Sequence, residues 1–296
     1  MLTTVVTHPG RAHADEFLAC AIIAAKEGRC QILRRNPTDG DLENPGVFVV
    51  DVGRQLDFAK RNLDHHQFPR EAEPCCALSL VAEYYAIRDE LYEVFPWFRK
   101  VEVLDSKGPR AAAQMLAEEA GIEQYDVQRL SDGLLRFVSP VEQAILDFFG
   151  ECAEVEPDSL VMDLIRDIGS RILKSIEDFR KAMRRLADVS PATIGGVRVV
   201  DLRSVFRPDE PTFHETWLKK THPDVEVLLL NSQRDQGQTT VLRRDSAVGR
   251  IDLSRIEACD GVSFAHKGGF IASVSRDADL EALLAASRVP AADDVS

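Results

Sequence analysis

No stretch of this sequence approaches the roughly 20 uninterrupted apolar residues that a spanning helix requires, and Met1 runs straight into LTTVV without a basic n-region. A soluble, cytoplasmic protein without membrane partners is expected. CxxC spacing is also missing. The six cysteines, Cys20, Cys30, Cys75, Cys76, Cys152 and Cys259, are scattered, and the adjacent pair Cys75 and Cys76 is poorly placed for an ordinary bridge. Reduced, mostly buried thiols follow. Positive charge is in deficit too: a formal net charge of -13 argues against a chain that coats nucleic acid through a general positive field. A local basic cleft stays compatible with that balance, and metal ligands can account for part of the acidity. Internal repeats and low-complexity tracts are absent, and nothing sets an oligomeric state.

What is present reads as two domains, the natural prior for 296 residues. LTTVVT (2–7) has the pattern of a buried strand, EFLACAIIAAKEG (16–28) is apolar at helical spacing and ends in Gly28, and CQILRR (30–35) and VFVVDVG (47–53) are further strands. This alternation predicts an α/β fold with a mainly parallel sheet and flanking helices, whose ligands bind beyond the carboxyl ends of the strands. From 76 to 120 the pattern is helical, with CALSLVAEYYAI and AAAQMLAEEAG its clearest pieces. DSLVMDLIRDIGSRILKSIEDFRKAMRRLADV (158–189) reads as a long amphipathic linker helix. The boundary is placed near 190, giving a domain over 1–190 and a smaller α/β domain over 191–290, built from GVRVVDLR, DVEVLLLNSQ, TTVLRRD and GGFIASV and closed by the helix DADLEALLAASR. The last residues, PAADDVS, look frayed.

His8, His13 and Asp15 fall within eight residues, in a loop between a strand and a helix where three side chains can converge. Asp51 ends another strand and can reach the same crevice, and Asp64, His65 and His66 follow in the polar segment RNLDHHQF. Singly, each has a bland explanation: a solvated loop histidine, an N-capping aspartate, a strand terminator, a polar turn. Concentration argues otherwise, since four of the seven histidines lie in the first 66 residues, each beside an aspartate or within reach of one.

The order His-x4-His-x-Asp, then VVDVG, then LDHHQ, resembles the DHH phosphoesterase superfamily, and THPGRAHADEFLACA resembles its melanocyte-proliferating-gene type of 3′-5′ RNA exonuclease. The resemblance is strongest over 3–68 and returns at FAHKGGFIAS (264–273). It implies a DHH catalytic domain followed by a DHH-associated (DHHA1-like) domain, and hydrolysis of phosphodiester bonds in single-stranded RNA or short oligonucleotides. It further implies that His8, His13 and Asp51 hold one cation while Asp15, Asp51, His65 and a fourth-motif aspartate hold a second, with Asp51 bridging. Asp105, in VEVLDSKGP at the start of a glycine-containing loop, is the choice for that aspartate, with Asp89 and Asp147 as alternatives. His66 is expected to face the substrate phosphate, and Asp64 to support the neighbouring imidazoles. Asp51, Asp64 and His66 are thus the catalytic candidates.

Two divalent cations about 3.5–4 Å apart lower the pKa of water and neutralise phosphoryl oxygens for in-line attack. Mixed imidazole and carboxylate ligands suit Mn2+, with Co2+, Zn2+ or iron as alternatives, better than Mg2+. In the second domain the resemblance points to His266, Lys267, Gly268 and Gly269 as a turn that lets backbone approach a phosphate or sugar. Arg203, Arg207, Arg243 and Arg244 are candidate phosphate contacts, against the reading of solvated surface arginines. Phe206 and Phe270 are candidates for base stacking, though core is the commoner fate of a phenylalanine. Two other functions are weighed. One is a phosphatase or pyrophosphatase acting on a small molecule, for which Arg243-Arg244 incompletely matches the Arg-Lys-Lys cluster of family II pyrophosphatases. The other is a non-enzymatic module that senses a nucleotide or metal.

Overall fold

A computed structural model describes residues 2–119, 140–235 and 237–290; the tail from 291, expected to fray, lies outside them, as do the last two residues of AAAQMLAEEAG. The chain divides into two compact units, Met1–Glu177 and Asp178–Ser296. Each is built on a six-stranded sheet.

In the first unit, β1 (Thr3–Thr7), α1 (Ala14–Glu27), β2 (Cys30–Arg34), α2 (Asp39–Glu43) and β3 (Val47–Val50) follow one another. β1 lies between β2 and β3, parallel to both, with Val5 opposite Ile32 on one side and Phe48 on the other. β5 (Asn62–Leu63) extends the parallel set beside β3, while β4 (Leu56–Asp57) and β6 (Glu154–Val155) close the two edges antiparallel. β3 is buried along its whole length, as a strand covered on both faces must be. From β1 the chain crosses to β2 on one side and then returns to β3 on the other. Such a reversal opens a crevice at the carboxyl ends of β1 and β3. His8 and Asp51 are the residues that immediately follow those strands.

α1 buries Phe17 and the run Ala19 to Ala24, apolar nearly all round, and ends at Gly28, whose φ of 80° reverses the chain cheaply. α3 (Ala77–Tyr84), α4 (Arg88–Val94), α5 (Phe98–Lys107), α6 (Pro109–Glu119) and α7 (Pro140–Glu151) follow. α8 (Leu160–Leu186) crosses α1 so closely that a Cβ on Gly169 would sit 1.9 Å from the carbonyl oxygen of Ala21. VEVLDSKG is helical nearly throughout, with Asp105 in the last turn of α5 rather than at the head of a loop.

The second unit orders its strands β11-β12-β10-β9-β8-β7, with β8 (Val197–Asp201) and β9 (Val227–Asn231) parallel. β7 (Ala192–Ile194), β10 (Gln238–Arg243), β11 (Val262–Ala265) and β12 (Ile271–Ser275) pair antiparallel with their neighbours. Period-2 alternation gives the sheet two apolar faces. Val199, Val227, Leu229 and Val241 pack with Leu283 and Leu284 of α10 (Leu280–Ser287). Val200, Leu202 and Leu228 pack with Trp217 and Leu218 of α9 (His214–Thr221), a helix not anticipated from the sequence, and with Ala182 and Leu186. Those last two residues explain why the division falls inside α8 and not after it near 190. The final turns of the helix pack into the second unit's core, with Phe179 edge-on to Phe213 at 5.3 Å between ring centroids.

Candidate metal centre

Asp51 leaves β3 with φ of 60°, the left-handed region that costs an L-residue about 1 kcal/mol or more. Its N–H donates to the carbonyl of Leu63 (3.1 Å), so the turn is tied to β5 and the carboxylate is delivered into the crevice, 2% exposed. The segment expected to be a polar stretch is instead the end of a buried strand: Asp64 and His65 are both buried. His65 Nε2 lies 3.1 Å from Asp51 Oδ1 and 3.0 Å from Asp105 Oδ2. Asp15, in the first turn of α1, accepts the N–H of Ala77 (3.3 Å) on Oδ2, which fixes the start of α3 against the start of α1. Its Oδ1 is buried without a hydrogen-bond partner, and the buried Asp105 Oδ2 has only the ion-pair contact with His65, whose Nε2 it shares with Asp51.

Potential ligand atoms of Asp15, Asp51, His65 and Asp105 all lie within 4.8 Å of one another, as do those of His8, Glu16 and Asp51, and those of Asp51, Asp64, His65 and His66. Asp51 belongs to all three groups. The second group brings in Glu16, which the sequence pattern does not single out. Glu16 is fully buried, and its Oε2 bonds to His8 Nε2, which also lies 3.4 Å from Asp51 Oδ2. His13 stands at the rim, about half exposed and N-terminal to α1; its Nδ1 is 3.8 Å from Asp105 Oδ1, and its ring centroid is 5.6 Å from that of His8. It thus neighbours the group in which it was expected, while Glu16 occupies the inner place. Asp89 lies in the first turn of α4, and Asp147 accepts from Gln143 on an exposed stretch. Neither joins the cluster.

Arg34 is a second member of the site that no motif marks. It sits at the end of β2, its guanidinium 2.9 Å from Glu16 Oε1 and bonded through Nη1 to the carbonyls of Gly10, Phe149 and Gly150. A signal was available: Cys30, Ile32 and Arg34 share one side of β2, so an inward arginine followed from strand periodicity. Glu16, three residues beyond His13, sits where a capping glutamate does, and it accepts the His13 N–H.

Electrostatics show what the cluster is short of. Burial, with Asp51, Asp105 and Glu16 close by, raises the Asp15 carboxyl well above its ordinary range. Asp51 is raised as well, by burial and by Asp105, although its bond to His65 opposes the shift. Burial alone would lower His65, but Asp105 and Asp51 prevail and lift it to about 10; His8 is lifted to about 9 by Glu16 in the same way. Among the described residues, Arg34 is the one arginine or lysine paired inside this cluster of carboxylates. An unpartnered carboxylate oxygen on Asp15, carboxylates that share one imidazole, too few cations and mixed N/O donors together fit divalent metal ions.

Asp64 accepts the N–H groups of Arg54 (2.6 Å) and His66 (3.0 Å) and holds His66 Nδ1 at 2.7 Å. Burial pushes its carboxyl up, yet these bonds prevail and hold it below the usual range. His66, half exposed, is raised in turn by Asp64. A cleft of about 710 Å³ opens here, lined by His8, His13, Asp51, Asp64, His66 and Asp105.

The expected substrate residues of the second unit divide between two ends of its sheet. His266 to Gly269 form the β11–β12 turn, where Gly269 has φ of 64° and a Cβ would meet Asp252 Oδ1 at 2.0 Å. His266, Lys267 and Gly268 are exposed, and the Phe270 ring lies 4.3 Å from that of His266. Arg243 adjoins this turn, its N–H bonded to the Phe270 carbonyl, but its Nη1 is taken by the carbonyl of Ile251. Arg244 corrects the expectation: its buried guanidinium is spent on Glu215 and the carbonyls of His222, Pro223 and Val225. Phe206 is core. Arg203 and Arg207 lie at the opposite end, beyond the carboxyl ends of β8 and β9.

The family model described as MYG1_exonuc, Uncharacterised protein family (UPF0160), matches residues 4–74, the segment that carries every residue of the three ligand groups except Asp105. No curated protein matches. One similar solved structure is the pGpG-specific phosphodiesterase PggH from Vibrio cholerae, 12% identical over 93% of each chain at a TM-score of 0.28, a likeness too loose to argue from. The family match together with the ligand cluster supports a metal-dependent hydrolase acting on phosphodiester bonds.

Proposed function

We propose that this chain is a two-metal phosphodiesterase of the DHH type, an exonuclease that removes nucleotides from single-stranded RNA or short oligonucleotides. The observation that carries the reading is the Asp51 carboxylate, shared by every ligand group at the carboxyl end of a parallel strand. Asp15, Asp51, His65 and Asp105 would hold one cation. His8, Asp51 and Glu16, with His13 at the rim, would hold the other. When bound, such cations supply Lewis acidity that acidifies water and neutralises phosphoryl charge; the mixed donors favour Mn2+.

The rest is done by the chain. Arg34 holds the Glu16 carboxylate in place, so that His8 is held in one orientation. Asp64 fixes the His66 ring and favours its protonated form, which suits it to bind a phosphate oxygen of the substrate. In the DHH-associated second unit, the exposed turn His266, Lys267, Gly268 and Gly269 offers backbone and charge to a sugar or phosphate. A pyrophosphatase reading loses ground because Arg244 is committed to Glu215. A pure sensor explains the metal ligands but gives no task to the Asp64–His66 pair.

The test is to incubate Mn2+-loaded protein with end-labelled RNA and DNA oligomers, pyrophosphate, bis(p-nitrophenyl) phosphate and the corresponding monoester. A ladder of shortened RNA supports the exonuclease. Orthophosphate from pyrophosphate alone would sink it, and bound metal without turnover of any substrate would favour the sensor.

A further inference from the structure

A cavity of about 770 Å³ lies at the end of the second unit's sheet away from the His266–Gly269 turn, and four arginines converge on it: Arg185 from α8, Arg203 and Arg207 from the loop after β8, and Arg276 after β12. In a chain of net charge -13, such convergence runs against both composition and mutual repulsion. Three of the four guanidinium groups are also held, those of Arg203, Arg276 and Arg185. Asp201 grips Arg203 through Nε (2.9 Å) and Nη2 (2.6 Å), while Arg203 Nη1 donates to Thr239. Asn231 donates to the carbonyls of Arg203 and Phe206, which pins the loop, and its Oδ1 accepts from Arg276 Nη2 at 2.7 Å. Glu210 holds Arg185 at 2.8 Å and takes the backbone N–H of Arg207.

These bonds take three of the five N–H groups of Arg203 but only one each from Arg185 and Arg276, and two acids do not balance four arginines. Three forks fixed in advance around a cavity of ligand size, with the exposed Arg207 beside them, are what recognition of a phosphate needs. We infer that this cavity is an anion site that takes the phosphate group of a nucleotide, apart from the metal centre and from the glycine turn. The phosphate comes either from a free mononucleotide or from a distal position of an oligonucleotide. The inference does not depend on hydrolysis at the metal centre.

The test is isothermal titration of full-length, Mn2+-loaded protein with adenosine 5′-monophosphate, inorganic phosphate and a phosphorothioate-linked RNA hexamer. Wild type is compared with Arg207→Gln/Arg276→Gln, both exposed positions, and with the lysine pair at the same sites. Phosphate bound elsewhere is common to all three proteins and cancels. The glutamine pair should bind at least about tenfold more weakly, with a shallower salt dependence, and the lysine pair should lie between. Weakening with both the mononucleotide and the hexamer assigns the site to free nucleotide; weakening with the hexamer alone assigns it to a distal phosphate. Affinities unchanged for all three probes overturn the site. Turnover at the metal centre is read separately on bis(p-nitrophenyl) phosphate, so an inactive but nucleotide-binding protein would refute the hydrolytic reading and leave this one standing.

Discussion

Arg34 and Glu16 form a fully buried ion pair, Nη2 to Oε1 at 2.9 Å, directly behind His8. Truncating one partner of such a pair strands the other charge, and here it also frees three carbonyl groups that Arg34 binds. Arg34→Met should destabilise the protein by about 3–5 kcal/mol in chemical denaturation. The double variant Arg34→Met/Glu16→Leu should recover much of that loss but bind less metal. A single Arg34 variant as stable as wild type would show that Glu16 is not held as a charge.

Asp51 combines a left-handed backbone with a buried carboxylate, so structure and function should separate there. Asp51→Gly should raise the thermal midpoint of the chelated protein, because the strain and the buried charge both disappear. It should also abolish the stabilisation that Mn2+ gives, together with turnover. Asp51→Ala should lose metal and activity and show a smaller gain, because it removes the buried carboxylate but keeps the left-handed strain. Metal content by plasma emission and midpoints with and without chelator decide it.

At pH 7 the metal-free centre keeps protons on His65 and His8, whose pKa values are raised to about 10 and about 9. Ligation needs neutral imidazole, so binding must expel these protons and apparent affinity should rise with pH between 7 and 9. Calorimetry of Mn2+ binding in buffers of different ionisation enthalpy should count protons released. Affinity that falls over this range would contradict the sign.

His66 is tied to Asp64 and stands half exposed at the cleft. His66→Ala should lower kcat by about 100-fold or more while leaving metal content intact, in keeping with the size of general acid-base or oxyanion contributions. Asp64→Asn should show the same loss more mildly, with a pH profile shifted down as the imidazole loses its supporting carboxylate.

Gly169 lets α8 cross α1 at contact distance from Ala21. Gly169→Ala should cost about 3 kcal/mol through overpacking, read as a fall in the denaturation midpoint. Activity per folded molecule should be unchanged, since Gly169 touches no ligand.

The sequence alone determined the alternation of β1, α1, β2 and β3, because period-2 and period-3.6 burial are written into VVT, ACAIIAA and VFVV, and Gly28 and the strand-end Asp51 mark their limits. It also singled out His8, Asp15, Asp51, Asp64, His65 and His66, since imidazoles and carboxylates beside strand ends have few other uses. Tertiary structure decided the rest. Whether Glu16 or His13 takes the inner place depends on which helical residue turns toward Arg34. Asp105 joins through the packing of α5 on α1, at a sequence distance that no local pattern spans. Arg244 looked like a surface cation until Glu215 and three carbonyls enclosed it, and the four arginines of the second cavity come from segments nearly a hundred residues apart. Local periodicity reports which way a side chain faces; which distant groups it meets is fixed only when the sheets and helices pack.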